Sequence, residues 1–178
     1  MEISFAGFGG QGVLTSGLVT AYIAMKKGYE VMWSPSYGGQ MRGGKSFSMV
    51  KFEKEPIRNP LMSKLDALVA MNGPSLDYAA DLKPGGILII NSDVVGEDAQ
   101  VQAPGATIIR IPVDTLARQA QSSKGANLVA VGTLIREIGL CSLEEAIDIM
   151  NEFFTNKGKG KFNEANDRAF QAGYEYIG

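Results

Sequence analysis

The 178-residue sequence contains no histidine and a single cysteine, Cys141. The absence of histidine excludes Ser-His and Cys-His catalytic triads, and it removes the commonest general acid–base and the commonest zinc ligand. One cysteine forms no disulfide within the chain and does not by itself hold an iron–sulfur cluster, which is bound by several thiolates. We therefore expect Cys141 to be a packed small hydrophobe, and we expect no catalytic residue and no metal ligand on this chain.

The sequence also lacks a long hydrophobic run and a strong charge imbalance. No segment reaches the ~18 consecutive apolar residues of a membrane helix, and Met1 to Phe5 has no basic segment that leads into an apolar stretch and a cleavage site. Lys and Arg number 17 against 19 Asp and Glu, which disfavours a nucleic-acid partner. The length of 178 residues predicts that residues 1–178 form a single domain. A cytoplasmic protein is the expectation, because no membrane or targeting segment is seen.

Glycine is abundant, with 22 residues, and it marks the start of the chain. An apolar run at Ile3 to Ala6 ends in a cluster with the sequence GFGGQG, residues 7–12. Apolar residues then recur at helical spacing from Val13 to Lys27, and a second strand is expected at Glu30 to Ser34. The order strand, glycine loop, helix, strand is typical of an α/β sheet.

The remaining pattern predicts further strands and a helical C-terminal part. Strands are expected at 46–54, 65–71, 87–90 and 107–111. A short helix is expected at 74–82, followed by a turn at 83–86. Three further helices are expected at 126–138, after a cap at Ser142, and at 162–177. The apolar run at 87–90 is typical of a parallel strand that is covered on both faces. We predict a Rossmann-like, three-layer α/β domain with a mostly parallel sheet and C-terminal helices.

The glycine loop satisfies the dinucleotide fingerprint G-x-G-x-x-G in the required context of strand and helix. Such a site also needs an acidic residue near the end of the second strand to bind the ribose hydroxyls. That strand ends in Trp33-Ser34-Pro35, and Glu30 lies at its beginning. Binding of NAD(P) or FAD therefore stays open as the weaker alternative, beside a loop that only packs a strand against a helix.

A second glycine-rich loop, residues 35–45, follows the second strand and is expected at the same edge of the sheet as the first. Arg42 and Lys45 would allow this loop to bind an anion. Tyr37 and Arg42 belong to residue types that are enriched at interface hot spots. Both roles remain open for this loop.

The two loops together resemble the gamma subunit of 2-oxoacid:ferredoxin oxidoreductases. The resemblance rests on GFGGQG at 7–12, on Tyr37-Gly38 followed by Arg42-Gly43-Gly44, and on Asn127 at the head of a helix with Gly132 five residues later. It is greatest to the 2-oxoglutarate type, and it covers nearly the whole chain. Gly39-Gln40 departs from the Pro-Glu that members commonly carry there, so a carboxylate partner for Arg42 is missing.

The resemblance implies a subunit of an enzyme that oxidatively decarboxylates a 2-oxoacid to its acyl-CoA and passes electrons to ferredoxin. Thiamine diphosphate, Mg²⁺ and Fe–S clusters would be held mainly by alpha and beta subunits, with a ferredoxin-like delta subunit as a further candidate. A loop for coenzyme A or phosphate would consist of Gly7, Gly9, Gly10, Gln11 and Gly12. A subunit interface would include Tyr37, Gly38, Met41, Arg42, Gly43, Gly44 and Asn127. The alternatives are a stand-alone NAD(P) or FAD oxidoreductase and a nucleotide-binding module.

A run of three lysines, Lys157, Lys159 and Lys161, separates the last two predicted helices. Its simplest interpretation is a solvated linker. Steering of an anionic ferredoxin or of coenzyme A by these charges is the alternative.

Overall fold

A six-stranded sheet forms the centre of the computed structural model, which describes residues 1–37, 45–61 and 64–177. The order of the strands across the sheet is β2-β3-β1-β4-β5-β6. In chain order the strands are β1 (Glu2–Phe8), β2 (Glu30–Tyr37), β3 (Lys45–Glu53), β4 (Leu65–Ala70), β5 (Leu82–Asn91) and β6 (Thr107–Ile111).

The sheet is mostly parallel, as the sequence predicts. β1 pairs in parallel with β4, β4 with β5, and β5 with β6. β3 is the exception, because it runs antiparallel to both of its neighbours, β1 and β2. β2 therefore runs in the same direction as β1, and both strands end at one edge of the sheet, where Phe8 lies opposite Lys45 and Tyr37 lies opposite Ser46.

All the α-helices of the described residues contribute to one hydrophobic core on one face of the sheet. This core includes Ile3, Phe5 and Val69 from the strands. The helices are α1 (Val13–Lys26), α2 (Val113–Gln119), α3 (Ala126–Glu137), α4 (Leu143–Asn156) and α5 (Asn163–Tyr174).

The opposite face carries a smaller core. Its sheet residues include Ala6, Leu68 and Leu88, and it is covered by a 3₁₀ helix, Gly73–Asp81, and by segment 95–106. The three-layer arrangement is thus asymmetric, with α-helices on one side and a thin irregular layer on the other.

The predicted turn at residues 83–86 is wrong, because these residues belong to β5. The pairing of β5 with β4 shifts its register between Leu65 and Ala67. Gly85 has a φ of 80° and its N–H donates to the carbonyl of Gly105 at 2.9 Å. A glycine in this conformation lets the strand bend without leaving the sheet.

The remaining elements agree with the prediction apart from their ends. The strand expected at 30–34 continues to Tyr37, the short helix at 74–82 is the 3₁₀ helix, and the last helix ends at Tyr174. At the start of α4 the capping box is confirmed: the backbone N–H of Ser142 donates to Glu145 Oε2 at 3.1 Å, and the N–H of Glu145 donates to Ser142 Oγ at 3.3 Å.

Helices α3 and α5 cross at two glycines. A Cβ at Gly132 would overlap the carbonyl oxygen of Phe170, and a Cβ at Gly173 would overlap that of Val129. The Thr133 hydroxyl also donates to the carbonyl of Gly173 at 2.8 Å. The two backbones therefore touch, and side chains at these positions would force the helices apart.

We predict that Gly173→Ala lowers the free energy of unfolding by about 2 kcal/mol, because an added methyl group overpacks this crossing. Gly73→Ala is the matched control, since a Cβ there meets no atom within 4 Å, and its expected effect is within about 0.5 kcal/mol. Urea denaturation of both variants measures the difference. Equal stabilities would show that α3 and α5 do not pack backbone to backbone.

Candidate functional site

The glycine loop between β1 and α1 is a tight turn. The N–H of Gln11 donates to the carbonyl of Phe8 at 3.1 Å, and Gly10 and Gly12 have φ values of 101° and 75°. Side-chain-bearing residues rarely adopt such angles. A Cβ at Gly10 would meet open space, so the backbone conformation, and not a lack of room, requires glycine there.

The side chain of Gln11 turns back into the protein and holds the loop in place. Its Oε1 accepts hydrogen bonds from the Phe8 N–H at 2.7 Å and from Asn72 Nδ2 at 2.9 Å, while its Nε2 donates to the Met71 carbonyl at 3.0 Å. Asn72 also caps the 3₁₀ helix, because its Oδ1 accepts from the N–H and the hydroxyl of Ser75. This network joins the ends of β1 and β4.

The glycines of the loop have different surroundings. Gly7 is buried within β1, where a Cβ would lie 2.7 Å from Val13 Cγ2 and 3.1 Å from Met71 Cβ. Gly9 and Gly10 are exposed. Gly7 thus permits close packing of strand and helix, and the exposed pair is the part of the loop that a ligand or a partner can reach.

Asn127, at the start of α3, is buried against the glycine loop of its own chain. Its side chain is 7% exposed, and its Nδ2 lies 3.4 Å from the Gly12 carbonyl oxygen. A Cβ at Gly12 would lie only 2.6 Å from Asn127 Cγ. The interface role of Asn127 stays a prediction, and its observed contact is internal.

The other residues predicted for the interface lie mostly beyond the described ranges. Tyr37 is the last residue of β2, at the edge where β1 also ends. Outside the described residues lie Gly38, Met41, Arg42, Gly43 and Gly44.

The order of the strands in the sheet differs from that of a dinucleotide-binding fold. In that class of fold the second strand lies beside the first, whereas here β3 lies between β1 and β2. Glu30 begins β2 opposite Glu53, at the end of the strand remote from the glycine loop. No acidic side chain of β2 is therefore placed to bind a ribose.

Next to Gly12 the molecule has a cleft of about 560 Å³, which we call the α1–α3–α5 cleft. Its size is within the range of small-molecule sites. The lining residues come from the starts of α1 and α3, the end of α4 and the start of α5: Gly12, Thr15, Gln121, Ser122, Ser123, Lys124, Asn127, Leu128, Phe154, Lys159, Phe162, Ala165 and Asn166.

The electrostatics of the cleft favour an anion. None of the described residues that line it is acidic, and two are lysines, Lys124 and Lys159. The first turns of α1 and α3 carry no acidic residue, and neither helix has a side-chain cap. Their first N–H groups have no acceptor within the helix and carry the positive end of the helix dipole.

The wall formed by residues 121–125 is a folded turn. The N–H of Ser122 donates to the Ala117 carbonyl at 2.9 Å, and the N–H of Gly125 donates to the Ser122 carbonyl at 2.8 Å. Gln121 has a φ of 55°, the only positive value at a non-glycine residue among those described. Such strained residues cluster at functional sites.

Sequence reasoning missed this cleft because its walls are remote in sequence. Lys159 belongs to the run of three lysines at 157–161, but Lys124 is part of no motif or periodic pattern that would have predicted a binding site. The segment Ser122-Ser123-Lys124-Gly125 before α3, small polar residues with one lysine at a helix start, was the available sign.

The described residues contain no group of three or more His, Cys, Asp or Glu side chains that could hold a metal ion. Cys141 is half-buried, and burial raises the pKa of its thiol. The reactive thiolate is therefore scarce at neutral pH. The described residues therefore do not fit an Fe–S cluster, which is held by several thiolates.

Among the described helices, none has the length and apolar character needed to cross a membrane.

Comparison with known proteins gives a family match along nearly the whole chain. The model of the pyruvate ferredoxin/flavodoxin oxidoreductase family matches residues 2–176. The 2-oxoglutarate synthase subunit KorC of Methanothermobacter marburgensis is 36% identical over 185 residues, which cover 99% of this chain and 96% of KorC. The ketoisovalerate oxidoreductase subunit VorA of Methanothermobacter thermautotrophicus is 36% identical over 178 residues, 99% of this chain but only 36% of VorA.

A solved structure agrees with the sequence relatives. The gamma subunit of a keto/oxoacid ferredoxin oxidoreductase from Geobacter sulfurreducens superposes with a TM-score of 0.82 at 32% identity, over 98% of this chain and 94% of that chain. The chain belongs to the pyruvate ferredoxin/flavodoxin oxidoreductase family. Its resemblance to the gamma subunits of 2-oxoacid:ferredoxin oxidoreductases is confirmed.

We predict that Gln11→Ala destabilises the protein by about 1–3 kcal/mol, because the Phe8 N–H and the Met71 carbonyl lose their partner. Gln119→Ala, at an exposed position of α2, is the control and should be nearly neutral. Urea denaturation gives the stabilities, and hydrogen exchange at Phe8 reports the loop directly. Unchanged protection of the Phe8 amide in Gln11→Ala would contradict the observed network.

Proposed function

We propose that this chain is the gamma subunit of a complex that oxidatively decarboxylates a 2-oxoacid to its acyl-CoA and transfers the electrons to ferredoxin. The observation that carries the proposal is the correspondence with KorC over 96% of the length of that protein. Residues 1–178 act in it as a single domain. The partners are the alpha and beta subunits, with a ferredoxin-like delta subunit as a further candidate.

The proposed substrate is 2-oxoglutarate. KorC and VorA are equally similar to the chain at 36% identity, but KorC matches it in length whereas VorA is about three times as long. The common gamma subunit of the pyruvate/ketoisovalerate oxidoreductases of Thermococcus kodakarensis also matches the chain in length, but it is only 27% identical. Identity and length together therefore support the 2-oxoglutarate type. Ketoisovalerate and pyruvate are the competing substrates.

In this complex the chain is a binding and assembly subunit and not the catalyst. Thiamine diphosphate, Mg²⁺ and the Fe–S clusters belong on other subunits, in keeping with the donor set of the described residues. The exposed Gly9 and Gly10 and the start of α1 supply backbone N–H groups that suit the phosphates of coenzyme A. Gly7 and Gln11 hold that loop in position by packing and by hydrogen bonds.

We predict that the isolated chain has no oxidoreductase activity with a viologen dye, coenzyme A, thiamine diphosphate and 2-oxoglutarate, pyruvate or ketoisovalerate. The tagged chain should co-purify from native extract with larger subunits that carry thiamine diphosphate and Fe–S clusters, and that assembly should prefer 2-oxoglutarate. Turnover by the pure chain, or recovery without such partners, would overturn the proposal. A preference for another 2-oxoacid would overturn only the substrate.

A second prediction concerns the proposed interface loop, Tyr37 to Gly44. Arg42→Ala should weaken assembly by about 1–3 kcal/mol, because arginine is frequent among interface hot spots, and it should leave the melting temperature of the free chain unchanged. Arg58→Ala, an exposed arginine outside the loop, is the matched control for lost charge. A lower melting temperature for free Arg42→Ala would assign Arg42 a structural role within the chain.

A further inference from the structure

We propose that helices α4 and α5 bind a hard divalent cation, Ca²⁺ or Mg²⁺, through the side-chain oxygens of Asn151, Asn163 and Asp167. We call these three side chains the α4–α5 oxygen cluster. Asn151 lies on α4, Asn163 is the first residue of α5, and Asp167 follows it by one helical turn. The site consists of residues of this chain alone, so the proposal does not rest on the proposed function.

Each side chain of the cluster holds an oxygen atom that is buried and lacks a donor. Asn151 Oδ1, Asn163 Oδ1 and Asp167 Oδ1 have no hydrogen-bond partner among the described residues. In the described part of the chain only one other buried side-chain oxygen, Thr20 Oγ1, is in this state. Buried polar atoms nearly always have a partner, and an unpaired one indicates an ordered water or an ion. Three such oxygens at one contact between two helices carry the proposal.

The two amide groups cannot pair these oxygens by turning over. Asn151 Nδ2 donates to Asp167 Oδ2 at 3.1 Å, so a turned amide would place its oxygen against a carboxylate. Asn163 Nδ2 donates to the Asn151 carbonyl at 3.3 Å and to Thr155 Oγ1 at 3.2 Å, and turning it would set two carbonyl oxygens against each other. The hydrogen bonds thus fix which side of each amide carries the oxygen, and they join the three side chains into one contact.

The charge around the cluster is negative. Asp167 forms no ion pair within the described ranges, and the neighbouring Arg168 is paired with Glu164 at 2.7 Å. Burial raises the pKa of Asp167, and the charges of Asp148 and Glu164 raise it further, more than the Asn151 hydrogen bond and Arg168 lower it. A bound cation would supply the positive charge that this carboxylate lacks.

The oxygens of the cluster are of the kind that Ca²⁺ and Mg²⁺ prefer. Carboxylate and amide carbonyl oxygens are hard ligands, and water completes the coordination of both ions. Because one ligand of the three is charged, we expect a weak site with a Kd of about 10⁻⁴–10⁻³ M. The sequence-based expectation of no metal ligand rested on the lack of histidine and of cysteine, and it did not consider amide oxygens.

A cation at this place would fasten the end of α4 to the start of α5. The segment between these helices contains Lys159 and Phe162, which line the α1–α3–α5 cleft. The cation would therefore hold one wall of the cleft in position, and its binding would stabilise the folded chain.

The test is isothermal titration and thermal unfolding of the purified full chain, freed of metal with EDTA and then dialysed. CaCl₂, MgCl₂ and KCl are added at equal ionic strength. We expect one divalent ion to bind per chain, and the melting temperature to rise by about 3–5 °C at ten times Kd. KCl should have no effect.

Asp167→Asn is the informative variant, because it removes the charge and keeps the shape of the side chain. We expect it to bind the divalent ion at least tenfold more weakly. Without metal its melting temperature should equal or exceed that of the unaltered chain, since a neutral amide is easier to bury than an unpaired carboxylate. With saturating Ca²⁺ or Mg²⁺ the order should reverse. Asp98→Asn is the matched control, an exposed aspartate on the other face of the sheet, and it should bind as the unaltered chain does.

The outcomes are distinct. Tighter binding of Ca²⁺ or of Mg²⁺ would support the site and identify its ion. A melting temperature that neither divalent ion changes, or full binding by Asp167→Asn, would overturn the proposal and leave the three oxygens to ordered water. A rise with KCl equal to that with the divalent salts would refute the divalent assignment. An Asp167→Asn variant that is less stable both with and without metal would show that Asp167 has a purely structural role, against the proposal.

Discussion

The close approach of Gly12 to Asn127 is the constraint on which the site depends. Because Gly12 has no side chain and a φ of 75°, the start of α1 can lie directly against the start of α3. A larger residue would collide with Asn127 and separate the two helices. Their contact brings two helix starts without side-chain caps to one cleft, which Lys124, just before α3, also lines. Gly12 therefore determines both how the two helices pack and where the positive ends of their dipoles meet.

The antiparallel strand β3 distinguishes this sheet from a dinucleotide-binding sheet. By lying between β1 and β2 it moves the end of β2 one strand away from the glycine loop, about 4.8 Å farther than in a dinucleotide-binding sheet. It also keeps β1 and β2 running in the same direction, so the ends of both strands, at Phe8 and Tyr37, still share an edge. The fold thus retains a glycine turn between a strand and a helix while losing the place where a ribose would be recognised.

Local sequence patterns predicted the helices and strands well, because the signals that begin and end these elements come from neighbouring residues. The capping box at Ser142 and Glu145, the strand at 107–111 and the helix that starts at Val13 all follow from short-range rules. The prediction of a turn at 83–86 was wrong because it assumed that two glycines after a proline end a strand, as they usually do. Here the N–H of Gly85 instead donates to the carbonyl of Gly105, in the turn before β6, and no local signal contains this contact.

The sequence by itself determined the class of fold, the glycine turn at 7–12 and the lack of histidine and cysteine ligands, since these follow from residue type and spacing. Only the tertiary structure decided that Gln11 points inward to Met71 and Asn72 and that β3 divides β1 from β2. It also decided that Lys124 and Lys159 line one cleft, in which none of the described lining residues is acidic. The physical reason is distance along the chain. Hydrogen bonds and charges that meet across dozens of residues depend on how the helices pack on the sheet, and packing leaves no periodic trace in the sequence.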